Sequence, residues 1–95
     1  MRKAYRANDC HDFVIDLNPQ SDGTIKIFAP ICPADPHGNG SHTHHRYASG
    51  EICVKAGREP RTYAKAEAIA QYWCERYSEY VTTGAFRDTG ATVRV

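Results

Sequence analysis

The residues best suited to chemistry lie in one stretch, where a histidine-rich segment is followed by a cysteine. Residues 41–47 contain three histidines, and Cys53 stands three positions after Gly50. A cysteine attacks as its thiolate, and an ordinary thiol, with a pKa of about 8.5, is only slightly ionised at neutral pH. His44 or His45, brought back beside Cys53 by a turn at Gly50, would assist proton transfer or stabilise an oxyanion. This pattern indicates a cysteine nucleophile with a histidine partner.

Two other interpretations of the same residues stay open. Cysteine is among the most buried residue types, so Cys53 is also suited to fill a small apolar space between Ile52 and Val54. A zinc site would draw on the histidines, but their spacing matches neither a paired-cysteine finger nor the helical His-Glu-x-x-His pattern. We therefore assign no metal ligands. The residues that such a site would use are His42, His44 and His45, completed by His37, Cys32 or His11.

Length and charge exclude several classes of protein. The chain has 95 residues, which indicates one domain over residues 1–95, and 12 Lys and Arg nearly balance 11 Asp and Glu. A nucleic-acid binder usually carries a basic stripe, so we expect no nucleic-acid partner. The first residues lack the apolar core of a secretory leader, and no run approaches the ~20 apolar residues that cross a bilayer. We expect a cytoplasmic protein without a membrane partner. In a reducing compartment the four cysteines are expected to be free thiols, and no Cys-x-x-Cys pair occurs among them.

The segments that must position these residues begin with two strands. Residues 12–17 form a short apolar, β-branched run, and residues 24–28 alternate between apolar and polar side chains. Between them, residues 18–23 contain Asn, Pro, Ser, Asp and Gly, which predicts an antiparallel hairpin. Residues 1–10 show no clear period, and no element is assigned there.

An irregular crossing leads from the second strand to the candidate cysteine. Prolines recur at every third position over residues 30–36, which removes backbone donors and predicts an extended path. A short strand over residues 41–47 and an extended segment over residues 51–54 are expected next. At the end of the chain, residues 92–95 alternate weakly and suggest a final short strand.

One long helix has the clearest signal in the chain. It is predicted over residues 62–83, where Thr62 is a suitable N-cap and Gly84 suits the left-handed position just past the end. Its apolar residues fall three and four positions apart, which makes one broad stripe that needs a partner surface. We therefore predict an α+β fold in which a small antiparallel meander packs against this helix. The stripe consists of Ala66, Ile69, Ala70, Trp73, Tyr77, Tyr80 and Val81.

The central stretch resembles the active-site segment of the ubiquitin-conjugating enzyme family. The family places an antiparallel meander, a proline-rich crossing, a histidine-containing loop, a Gly-x-(Ile/Leu)-Cys-(Leu/Val) segment and a helix in this same order. The His-x-Tyr-x-x-Gly form and the later run over residues 68–86, with its Thr-Gly-aromatic ending, look like the bacterial branch found in anti-phage (CBASS-type) and ubiquitin-like operons. The resemblance covers residues 12–86, and its most specific part is His45-x-Tyr47-x-x-Gly50-x-Ile52-Cys53-Val54.

The resemblance implies a reduced ubiquitin-conjugating fold and a transferase activity. Cys53 would accept the C-terminal glycine of a modifier as a thioester and pass it to an amine, in bacterial anti-phage defence. His45 stands where the eukaryotic branch carries its oxyanion-stabilising asparagine, and it would take that role. The implied partners are a ubiquitin-like modifier or a modified nucleotidyltransferase C-terminus, an activating enzyme and a protein target. No cofactor is expected, because the activating enzyme would use the ATP. The alternatives are a non-catalytic scaffold of the same fold and a small His/Cys zinc-binding domain.

Overall fold

An antiparallel sheet of three strands forms one side of the molecule. The computed structural model describes residues 1–87, and of residues 41 and 42 only the backbone. The strands are β1 (Arg2–Arg6), β2 (Asp12–Pro19) and β3 (Ile25–Ile31), arranged in the order β1-β2-β3. The expected hairpin of β2 and β3 is confirmed, and β3 runs three residues further than its apolar alternation indicated, from 28 to 31.

The first strand was not foreseen, because most of its side chains are exposed. β1 pairs antiparallel with β2 and sets Arg2 opposite Asp16 and Arg6 opposite Asp12. Arg6 Nε lies 2.7 Å from Asp12 Oδ1, and Arg2 Nη2 lies 3.4 Å from Asp16 Oδ2. Cross-strand charge pairs and backbone pairing therefore hold this strand, and neither leaves a hydrophobic period in the sequence.

Beyond β3 the chain crosses to the histidine-rich segment and returns along the free edge of the sheet. The N–H of Ala29 donates to the carbonyl of Gly50 at 2.8 Å, and the N–H of Ile52 donates to the carbonyl of Ile27 at 2.8 Å. The extended segment expected over residues 51–54 is confirmed by the bridges at Glu51 and Ile52.

The strand predicted over residues 41–47 is wrong, because its first half is a single helical turn. This turn, α1 (Ser41–His44), begins where the amides of Thr43 and His44 both donate to the carbonyl of Gly40. It ends at His45, whose φ of 59° is incompatible with a right-handed helix. The carbonyl of Gly40 supplies the acceptor for this turn, a main-chain contact that no side-chain pattern in the sequence marks.

The long helix, α2 (Tyr63–Thr83), has the ends that the sequence predicted. The Thr62 side chain accepts a hydrogen bond from the amide of Lys65 at 3.1 Å. Gly84 has a φ of 83°, and its amide donates to the carbonyl of Tyr80 at 2.7 Å. Both termini are therefore capped by the residue types that favour those positions.

The core lies between the sheet and one face of α2. The side chains of Phe13, Ile15 and Leu17 are buried on the helix side of β2, and Trp73 packs edge-on against Phe13 with ring centroids 5.9 Å apart. The predicted apolar stripe is buried except for Val81, which is partly exposed. The α+β class is thus confirmed, whereas the strand expected over residues 92–95 lies outside the described residues. Within residues 1–87, no helix combines the length and apolar character of a membrane span.

Candidate active site

The candidate cysteine lies on one strand of a tight hairpin over residues 45–53. The amide of Tyr47 donates to the carbonyl of Glu51 at 2.9 Å, and the amide of Cys53 donates to the carbonyl of His45 at 2.9 Å. The turn closes through the Gly50 amide, which donates to the carbonyl of Tyr47 at 2.8 Å. Gly50 has a φ of 94°, which favours glycine, and a Cβ there would lie 3.6 Å from the carbonyl oxygen of Ala29.

This hairpin brings together the two residues that the sequence analysis singled out. Main-chain pairing sets His45 directly across from Cys53, and the left-handed backbone of His45 starts the hairpin. The His45 ring packs edge-on against Phe86, with centroids 5.1 Å apart. Phe86 follows the C-cap of α2, so the end of the long helix also holds this histidine.

The thiol of Cys53 is buried but does not belong to the main core. The residue is 2% exposed, and its neighbours Ile52 and Val54 pack in or against the core cluster, from which Cys53 is absent. Successive side chains of an extended segment point to opposite sides. The Cys53 side chain therefore lies on the opposite side of the segment from Ile52 and Val54, on the side of the hairpin that His45 and Tyr47 share.

The surroundings of this thiol keep it protonated at neutral pH. Burial raises the pKa of Cys53, the hydroxyl and the amide of Tyr47 lower it, and the carboxylate of Glu51 raises it, with burial dominant. The interaction with Cys53 is in turn the largest cause that raises the pKa of Tyr47. The Tyr47 hydroxyl and the Cys53 thiol thus influence each other's ionisation, and a change in the burial of the thiol would change its pKa.

The second histidine considered, His44, has a different environment. Its Nε2 lies 3.7 Å from Asp35 Oδ2, and its ring packs against Tyr77 and Tyr80. Burial opposes ionisation of Asp35, but the amide of His37 and the Tyr80 hydroxyl hold its pKa below the usual value. His44 therefore helps to fix the proline-rich crossing on α2. The contact of Asp35 with His44, nine residues further along the chain, was not predicted from the sequence.

The described residues do not assemble the zinc site considered from the sequence. Among them, no group of three or more His, Cys, Asp and Glu side chains is arranged to hold a metal ion. The four histidines whose side chains are described have separate partners: His11 lies by Ser78, His37 by the carbonyl of Tyr80, His44 by Asp35 and His45 by Phe86. The side chain of His42 lies outside the described part of the chain. The four cysteines are free thiols, as expected.

Comparison with protein-family models, with curated proteins and with solved structures finds no match to this chain. The geometry of the hairpin and the resemblance of its sequence to a known active-site segment are therefore the grounds for assigning a function.

Proposed function

We propose that this chain carries a protein modifier as a thioester on Cys53 and transfers it to an amine of a protein target, in bacterial anti-phage defence. The observation that carries the proposal is the hairpin pairing that sets His45 across from Cys53, with an amide-to-carbonyl distance of 2.9 Å. The meander, the crossing, the hairpin and the helix follow one another in the order that the resemblance implies. On this proposal the chain is a reduced ubiquitin-conjugating-like domain.

The chemistry consists of two acyl transfers at one sulfur. In the first, the Cys53 thiolate attacks the thioester carbonyl that joins the modifier to the activating enzyme. A C–S bond to Cys53 forms as the C–S bond to that enzyme's cysteine breaks. In the second, a target amine attacks the new thioester, a C–N bond forms, and Cys53 leaves as a thiolate while the amine loses its proton to solvent or a nearby base.

Both steps pass through a tetrahedral oxyanion, for which His45 is the proposed donor. An imidazole N–H directed at the developing charge stabilises it more than it stabilises the starting thioester. The packing of the His45 ring on Phe86 supports this role, because a donor held in place loses little freedom during the reaction.

The proposal is tested by trapping the thioester. The tagged chain is expressed in its native host and analysed on a non-reducing gel, with and without thiol treatment. We expect a protein adduct that thiol removes, that Cys53→Ala abolishes and that Cys53→Ser converts to a thiol-resistant ester. Cys10→Ala is the matched control, because Cys10 is exposed and should leave the adduct unchanged. An adduct that survives Cys53→Ala would overturn the assignment of the nucleophile.

A non-catalytic scaffold of the same fold is the second candidate, and one observation favours it. A thiol that is 2% exposed, with its pKa raised by burial, is a poor nucleophile in this conformation. Under this alternative the trapping experiment yields no thiol-sensitive adduct, and a partner co-purifies equally well with the unmodified chain and with Cys53→Ala. The two functions thus predict opposite results for the unmodified chain: a thiol-sensitive adduct forms under the first and none forms under the second.

A further inference from the structure

We propose that Tyr47 is the positioning residue of Cys53, whose ring covers the thiol and whose hydroxyl contacts the sulfur, so that acyl transfer requires this side chain to move aside. The role in transfer depends on the proposed function. The cover itself is a property of the chain alone and is tested without a modifier.

The first argument is the contrast in exposure between the two side chains. Cys53 is 2% exposed although it lies outside the core cluster, whereas Tyr47 is 41% exposed. Side chains on the same side of the hairpin therefore cover the thiol, and Tyr47 is an aromatic one among them, whose hydroxyl acts on the ionisation of Cys53. An exposed aromatic ring is stabilised when part of its apolar surface is buried against another group. Packing of the Tyr47 ring over the thiol would provide such burial.

The second argument is the register of the hairpin. Tyr47 pairs with Glu51 through the 2.9 Å amide-to-carbonyl hydrogen bond, so Cys53 is its diagonal neighbour across the two segments. Aromatic side chains reach such diagonal positions in antiparallel pairs. The turn at Gly50 holds this register, because its amide bonds the carbonyl of Tyr47 itself at 2.8 Å.

The third argument is that the ring and the hydroxyl of Tyr47 act on the thiol in opposite directions. A ring that excludes water disfavours the thiolate, whereas a hydroxyl that donates to sulfur favours it. The charged group that also acts on Cys53 is Glu51, which disfavours the thiolate. Removal of the whole Tyr47 side chain should consequently raise the reactivity of Cys53, whereas removal of the hydroxyl alone should lower it.

The test is alkylation of the purified chain by iodoacetamide, resolved by cysteine with peptide mass spectrometry at several pH values. Cys10, which is exposed, is the internal reference, and Cys74, which is fully buried, reports unfolding. In Tyr47→Ala we expect the ratio of Cys53 to Cys10 labelling at neutral pH to rise severalfold, because exposure of the thiol removes the burial that opposes its ionisation and opens a path for the reagent. In Tyr47→Phe the ratio should stay at or below that of the unmodified chain, and its pH profile should move to higher pH.

The matched control is Tyr63→Ala, because Tyr63 is a tyrosine of similar exposure, 45%, at the start of α2. This change should leave the labelling ratio as it is. The inference is overturned if Tyr47→Ala leaves the ratio unchanged, or if Tyr47→Phe raises it, because the ring would then not be the cover. If Cys74 becomes labelled in Tyr47→Ala, that variant has unfolded. The labelling ratio of Tyr47→Phe then decides whether the inference holds.

Failure of this inference is distinguishable from failure of the proposed function. If Tyr47→Ala unmasks Cys53 but no thioester forms in the host, the cover is established and the transferase activity is overturned. If the thioester forms and Tyr47→Ala leaves the labelling ratio unchanged, the activity is established and the tyrosine is not its gate.

Discussion

The hairpin that carries Cys53 depends on two residues with positive φ. Gly50 at 94° closes the turn, and His45 at 59° redirects the chain from the α1 turn into the hairpin. Glycine adopts such values freely, but a histidine there is unusual and costs on the order of 1 kcal/mol. The sequence foresaw a reversal at Gly50 because glycine is a general turn signal. The conformation of His45 could not be predicted, since histidine is enriched at positive φ but still adopts it too rarely for the residue type to mark the position.

His45 provides the first prediction. Asparagine tolerates a left-handed backbone and carries an amide donor, whereas alanine lacks the donor. We expect His45→Ala to slow discharge of the preformed Cys53 thioester to an amine by about a hundredfold, as loss of an oxyanion donor does in other enzymes. His45→Asn should stay within about tenfold of the unmodified chain, because it replaces the donor. Single-turnover discharge measures this, and equal losses in both variants would argue for a purely structural role.

At the scale of secondary-structure elements, those stabilised by local sequence signals were predicted, and those stabilised by distant or main-chain contacts were not. The helix α2 was predicted closely, because Thr62, Gly84 and the apolar stripe are local signals. The β2–β3 hairpin was predicted for the same reason. The strand β1 is held by ion pairs and main-chain pairing with β2, and the α1 turn is held by the carbonyl of Gly40. Those partners are distant in sequence or belong to the main chain, so no pattern of side chains predicts them.

The loop between β1 and β2 is likewise held by contacts that the sequence does not show. The buried hydroxyl of Ser78 donates to Asp9 Oδ1, and His11 Nδ1 lies 2.6 Å from the same hydroxyl oxygen. Glu75 accepts from the hydroxyl of Tyr5 at 2.5 Å and from the amide of Asn8 at 3.1 Å. A polar face of α2 therefore anchors the first loop, while its apolar face forms the core.

This anchor predicts a pH dependence of stability. The Ser78 hydroxyl holds the pKa of Asp9 below its usual value. A carboxylate with a lowered folded-state pKa stabilises the fold above its unfolded pKa of about 4, and this contribution is lost as pH falls through the folded-state value. Asp9→Asn should therefore flatten the fall in free energy of unfolding below about pH 4. Urea titrations at several pH values measure the slope.

The partner residue provides the control for that prediction. Ser78→Ala removes the donor and should flatten the same pH window, in addition to lowering stability at neutral pH by about 1–3 kcal/mol. If Asp9→Asn leaves the acid slope unchanged, the contact with Ser78 does not select the ionised carboxylate.

At the scale of the whole molecule, the same helix face forms the core and holds the crossing that leads to the site. Trp73 stacks on Tyr77 within the core, and its Nε1 donates to the carbonyl of His44 at 2.9 Å. The hydroxyl of Tyr77 donates to the carbonyl of Pro33 at 2.8 Å, and that of Tyr80 donates to Asp35 Oδ1 at 2.8 Å. The sequence predicted these aromatics as core residues, but not the polar ends that fix the crossing.

Because Trp73 packs in the core and also bonds the segment before the hairpin, its substitution distinguishes global unfolding from local opening of the hairpin. Cysteine labelling measures both. Cys74 is fully buried in the core and reacts only when the molecule unfolds, whereas Cys53 requires only its local cover to move. Ile15→Val trims a buried core side chain on β2 and leaves the hydrogen bond from Trp73 to His44 in place. It should cost about 1 kcal/mol and raise Cys74 labelling about fivefold, with little effect on Cys53. Trp73→Phe also removes the donor to His44, so it should raise the labelling of both cysteines. If Cys53 labelling rises in proportion to Cys74 labelling in both variants, the hairpin opens only with global unfolding. If it rises in neither variant, the contact from Trp73 does not link the core to the site.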